Sequence, residues 1–130
     1  PAHATALGRV LLASLPEAEF DEYLRSCEPV ALTRKTVTDK GELRAIVEQV
    51  RERSYSTTVD QLDYGITALA VPIRGPSGKT VAALNSSGYS GLLTEEELVR
   101  GRLQELRASA GRLAQAIARY PVLESIIGVR

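Results

Sequence analysis

Hydrophobic spacing changes period near Tyr55, and that change does most to limit what this chain can fold into. Before it, apolar residues recur every three or four positions, the spacing of an amphipathic helix. Ala4, Leu7, Leu11 and Leu12 place one helix over Ala4–Ser14, and Pro16 stops it. Glu17–Cys27 forms a second, with Phe20, Tyr23 and Leu24 turned inward. Asp39, with Glu42 three residues on, reads as a capping box opening a helix to about Arg53 that buries Leu43, Ile46, Val47 and Val50. The pattern then becomes extended. Tyr55–Asp60 is rich in β-branched residues, Ile66–Arg74 and Thr80–Ser87 are further strands, and Gly75-Pro76-Ser77-Gly78 joins the last two as a hairpin turn. Thr94 and Glu97 form another capping box. It opens a long helix to Arg119, with Val99, Leu103, Leu106, Ala110, Leu113 and Ile117 at helical spacing and Pro121 as its end. Helices, then a β-meander, then a long helix imply an α+β domain, an antiparallel sheet covered by helices.

Length and composition narrow the function classes. A chain of 130 residues, 44% hydrophobic and 25% charged, fits one globular domain with a real core. Sixteen basic residues balance sixteen acidic ones, which argues against this domain gripping a nucleic-acid backbone by itself. The lone Cys27 allows no internal disulfide and fits a reducing, cytoplasmic compartment. No apolar run approaches the roughly 18 residues that span a bilayer, and no signal peptide is visible. The absence of methionine and the start at Pro1 point to a piece of a longer protein.

No constellation for chemistry stands out, so the chain reads as a binder and not an enzyme, with no cofactor. His3, the only histidine, has no nucleophile or orienting acid beside it in sequence, and a hydrogen bond at a helix start accounts for it. One His and one Cys are too few for a zinc site. Cys27 reads as a structural thiol. Gly75-Pro76-Ser77-Gly78-Lys79 lacks the spacing of a phosphate loop and joins strand to strand. Asn85, Ser86 and Ser87 close the otherwise apolar strand TVAAL. They form either a turn or, by the two-residue strand period, a site where Asn85 and Ser87 face a polar ligand.

His3–Ala13 (HATALGRVLLA), the extended run Tyr55–Asp60, Tyr64-Gly65-Ile66, ITALAVPIR and AALNSS, in that order over nearly the whole chain, resemble the effector-binding domain of the isocitrate-lyase-regulator (IclR) family of bacterial transcription factors. The resemblance implies a GAF-like domain that senses a small organic acid without transforming it. It implies further strands upstream of His3 and a winged helix-turn-helix for DNA, both outside this chain, and a homodimer or homotetramer. It carries effector contact onto Ala6 and Leu7 of the first helix, Thr58, Ile66 and Ala68 of the next strands, and Asn85 and Ser87 of the third. The ligand would lie between the sheet and the loop Ser87–Leu93, where Gly88 and Gly91 permit close approach. Three positions depart from the family pattern. Thr58 replaces an acidic residue, Asn85 replaces a serine, and Ser54 replaces the glycine expected after Arg51-Glu52-Arg53 at a helix C-cap. Ser87-Gly88-Tyr89-Ser90-Gly91 and Arg119-Tyr120-Pro121 look most like the β-ketoadipate, aromatic-acid branch. The alternative is a GAF-like sensory or interaction module of a different signalling protein.

Overall fold

The computed structural model describes residues 1–127. Its elements are α1 (Ala6–Ala13), α2 (Glu17–Ser26), α3 (Lys40–Arg53), β1 (Ser56–Val59), β2 (Ile66–Arg74), β3 (Thr80–Tyr89), α4 (Glu95–Arg119) and α5 (Pro121–Ile127). The strands make one antiparallel sheet in the order β1-β2-β3. Helices lie on both of its sides, the α+β arrangement expected.

β2 explains the architecture. Ala68 and Ala70 pack on one face against Ala6 and Val10 of α1 and Val50 of α3. Val71 and Ile73 pack on the other against Leu103, Leu106, Ala110 and Ile117 of α4. A strand covered on both faces has no polar side to show, hence the almost unbroken apolar run ITALAVPIR. Leu12, Phe20, Leu24, Leu43 and Val47 form a separate cluster that ties α1, α2 and α3 together. Ile46, expected inside, is half-buried.

Element ends differ from the sequence expectation for local reasons. α1 begins at Ala6 because Thr5 is extended and its hydroxyl accepts the Gly8 N–H at 2.9 Å. β1 stops at Val59 because Asp60 turns to φ +54°. β3 continues to Tyr89, since Gly88 and Tyr89 still pair with Thr67 and Ile66. Pro121 ends α4 by starting α5, a position where its missing N–H leaves nothing unpaired.

The stripe on α4 also needs correcting. Leu113 is 43% exposed, while Leu98 is buried in the first turn and Ala114 packs on the sheet. Each residue turns the helix by about 100°, so a stripe through Leu106 and Ala110 reaches Ala114 and leaves Leu113 outside. Ser54 takes the left-handed conformation expected of a glycine there, with φ 59° and ψ 35°. The hairpin turn is as expected, with Gly78 at φ +83° and the Gly75 N–H donating to the Lys79 carbonyl at 2.9 Å.

Candidate functional site

Residues opposite one another on antiparallel strands share a face. The register sets Thr58 opposite Ala68 and Ala68 opposite Ser87. The next row is Ser56, Ala70 and Asn85, and the row before is Ile66 and Tyr89. Thr58, Ile66, Ala68, Asn85 and Ser87 therefore lie on one face. Ala6 and Leu7 of α1 pack over it with Ala68 and Ala70. The face is closed under α1, where Ala6, Thr58 and Ala68 are buried, and open along the edge strand β3, where Asn85 and Ser87 are exposed. Ile66 is exposed too.

Asn85-Ser86-Ser87 is regular strand, which removes the turn alternative. Ser86 points to the opposite face, where Arg102 Nη1 of α4 donates to its hydroxyl at 2.8 Å and to the Ser87 carbonyl at 3.3 Å. Thr57, beside Thr58, donates likewise to Glu95 at the start of α4. Both outer strands are thus anchored to α4 directly behind the polar face.

Sequence reading missed two residues of this face. Ser56 is fully buried, and its hydroxyl has no partner among the described residues. Tyr89 continues the row of Asn85 and Ser87. Counting by two from Thr58 and from Ser87 finds both.

A cleft of about 720 Å³ opens at the other end of the sheet, lined among others by Val10, Ala13, Arg51, Pro72, Arg74 and Lys79. None of the seven expected contact residues lines it. Among the described residues β3 is an edge strand, and Asn85 and Ser87 on it are open to solvent.

Polar bonds lock the β1–β2 turn to the start of α1. The His3 ring donates from Nε2 to the Val30 carbonyl at 2.9 Å, so its role is structural, but Thr5 rather than His3 caps the helix. Arg9 is 1% exposed, and its Nε donates to the His3 carbonyl at 2.9 Å and its Nη2 to Gln61 Oε1. Burial pulls the Arg9 guanidinium down to about 10, against a smaller raising effect of Glu42, and it stays protonated at neutral pH. Thr36 donates to the Gln61 carbonyl at 2.6 Å and Thr33 to the Asp60 carbonyl at 2.5 Å. The Ser90 hydroxyl at 2.8 Å, the Gly65 N–H at 2.9 Å and Lys35 hold the Asp60 carboxyl below the usual carboxylate range. Among the described residues no three His, Cys, Asp or Glu gather as a metal site. Cys27 is half-buried, with its thiol directed at the Leu24 carbonyl at 3.6 Å. No helix among these residues is long and apolar enough to cross a membrane.

The family described as bacterial transcriptional regulator IclR C-terminal matches residues 1–117. The Pca regulon regulatory protein of Pseudomonas putida is 35% identical over 117 residues, covering 90% of this chain and 40% of that protein. A candidate transcriptional regulator from Rhodococcus sp. RHA1 has a structure similar at TM-score 0.88 and 39% identity, over 92% of this chain and 48% of that one. The inducer-binding domain of a PobR double mutant from Acinetobacter, in complex with 3-hydroxybenzoic acid, is similar at TM-score 0.83 and 32% identity, over 88% of this chain and 67% of that one. The chain spans less than half the length of the curated relatives it matches. These relatives are transcription regulators, not enzymes. The chain belongs to the bacterial IclR transcriptional regulator family, whose C-terminal domain it matches.

Proposed function

We propose that this domain binds a small organic acid, an aromatic one of the β-ketoadipate branch, on the face of Thr58, Ala68, Asn85 and Ser87 beside Ala6, Leu7 and Ile66. The observation that carries the reading is the cross-strand row Thr58–Ala68–Ser87, with Asn85 next to it, on the face where Ala68 and Ala70 pack against α1. Asn85 and Ser87 are exposed at the open edge of that face, where their hydrogen-bonding groups are available to a ligand. The likeness to the P. putida Pca regulator and to the PobR domain supports an aromatic acid.

Neutral donors would hold the carboxylate: the Asn85 amide and the Ser87 and Thr58 hydroxyls. Occupancy favours one arrangement of a homodimer or homotetramer over another, and a cytoplasmic winged helix-turn-helix outside this chain reads that shift on DNA. The bonds from Arg102 to Ser86 and from Thr57 to Glu95 give the face a rigid link to α4.

Calorimetric titration with benzoate, 3-hydroxybenzoate and 4-hydroxybenzoate tests this. Ser87→Ala and Asn85→Ala each remove one hydrogen bond to a charge, about 1.5–3 kcal/mol or on the order of 10- to 100-fold in affinity. Their melting temperatures stay near the parent's. Parental affinity in both variants places the pocket elsewhere, and unfolding of both makes these residues structural.

A further inference from the structure

Tyr89 lies on the same side of β3 as Asn85 and Ser87, opposite Ile66, and the residue is 62% exposed. An exposed tyrosine is ordinarily free to turn, but this one is confined. A Cβ on Gly65 would lie 3.0 Å from Tyr89 Cε1, and one on Gly91 would lie 2.5 Å from Cε2. Two glycines, one on each edge, thus make room for the ring. Gly65 is further fixed by φ +88° and by its N–H bond to Asp60 Oδ1 at 2.9 Å. The Ser90 N–H donates to the Gly65 carbonyl at 2.9 Å, which pins the chain between Tyr89 and Gly91.

The face therefore has two ends. Asn85 and Ser87 are hydrogen-bonding groups, while Tyr89 and Ile66 offer an aromatic plane and an aliphatic side chain. Same-face residues two apart on a strand are separated by about 7 Å, so one small molecule can meet both ends. A ring already fixed in place loses little freedom when a ligand settles on it, which lowers the cost of binding. Building on the function proposed above, we infer that Tyr89, held by Gly65 and Gly91, is the residue that selects a planar aromatic acid over a saturated one of similar size. The carboxylate sits at Asn85 and Ser87 and the ring of the acid against Tyr89.

The test compares benzoate with cyclohexanecarboxylate by calorimetry on the parent, Tyr89→Phe, Tyr89→Ala, Gly91→Ala and the double variant Gly91→Ala/Tyr89→Ala. Tyr89→Ala should cut the preference for benzoate about 2- to 10-fold, the range of an aromatic pair contact, and Tyr89→Phe should keep it. Gly91→Ala should lower the preference in the parent, because the ring must move, and add nothing once the ring is gone. An unchanged preference in Tyr89→Ala overturns the inference. So does a Gly91→Ala effect that persists in the double variant. If benzoate binds and Ser87→Ala weakens it while Tyr89→Ala does not alter the preference, the binding face stands and only the selector falls. If neither acid binds the parent, the face itself is wrong and the selector goes with it.

Discussion

Asp60 shows how one residue can organise a loop that carries no regular structure. It leaves the strand through φ +54°, a conformation that aspartate tolerates better than most residues, and turns its carboxylate to meet Ser90, Gly65 and Lys35. Its pKa is lowered first by the Ser90 hydroxyl and then by the Gly65 N–H. A carboxyl whose folded pKa is depressed contributes stability that is present above the unfolded value, about 4, and is lost as pH falls toward the folded one. Urea midpoints measured from neutral pH down to about pH 3 should fall more steeply for the parent than for Asp60→Asn, since the other carboxylates are common to both. Parallel curves would show that the Asp60 charge is not coupled to folding. Arg9 is the complementary case. Its buried cation meets neutral oxygens of His3 and Gln61, so the α1 start and the β1–β2 turn are tied by hydrogen bonds rather than by a salt bridge.

At the scale of elements, α4 offers a sharp contrast within one helix. Leu106 packs on the sheet with Val71 and Ile73, whereas Leu113, two turns on, is exposed. Leu106 is half-buried, so Leu106→Ala should cost about 1–2 kcal/mol, below the full-burial range, and Leu113→Ala less than about 0.5 kcal/mol. Denaturant melts of the two variants decide it, and equal losses would mean that the sheet does not bind the helix through this stripe. The same helix marks where sequence reading succeeds and where it stops. Its start is visible in Thr94, whose hydroxyl accepts the Glu97 N–H at 3.1 Å, because a cap is a local arrangement of neighbouring residues. β2 was legible because burial on both faces writes itself as a continuous apolar run. The left-handed turn at Ser54 was legible through the family resemblance, which expects a glycine there. The choice of Ala114 over Leu113 was not, since it depends on a helix rotation set by the sheet's surface. Nor was the Arg9–Gln61 bond, whose partners are 52 residues apart. At the site, alternation correctly grouped Asn85 and Ser87, but it took the register to align them with Thr58. Gly88 and Gly91 were expected to allow close approach, and the neighbours they admit are the Leu93 side chain and the Tyr89 ring.

For the whole molecule, charge bears on the proposed separation of effector sensing from DNA binding. The 16 basic and 16 acidic residues cancel, and the cations are largely committed within the fold. Arg44 and Arg51 reach Glu17, and Arg44 also reaches Asp21. Arg53 and Arg107 lie over the Tyr55 ring, and Arg107 donates to the Arg53 carbonyl at 2.8 Å. Arg102 is spent on Ser86 and Ser87. Glu95, Glu96 and Glu97 place three negative charges on the first turn of α4. Duplex DNA is gripped by releasing counterions, and the binding constant then falls with salt at a slope of about −0.9 for each phosphate neutralised. With most of the cations among the described residues already partnered and no net charge, the domain should neutralise few phosphates, so the slope should be near zero. Electrophoretic titration of this 130-residue chain against duplex DNA should give no retarded complex at about 50 mM salt, where non-specific binders hold best. A complex that forms there and dissolves toward about 200 mM would reveal a basic face in this chain. DNA contact would then be shared by the sensing domain instead of being confined to the segment proposed to lie outside it.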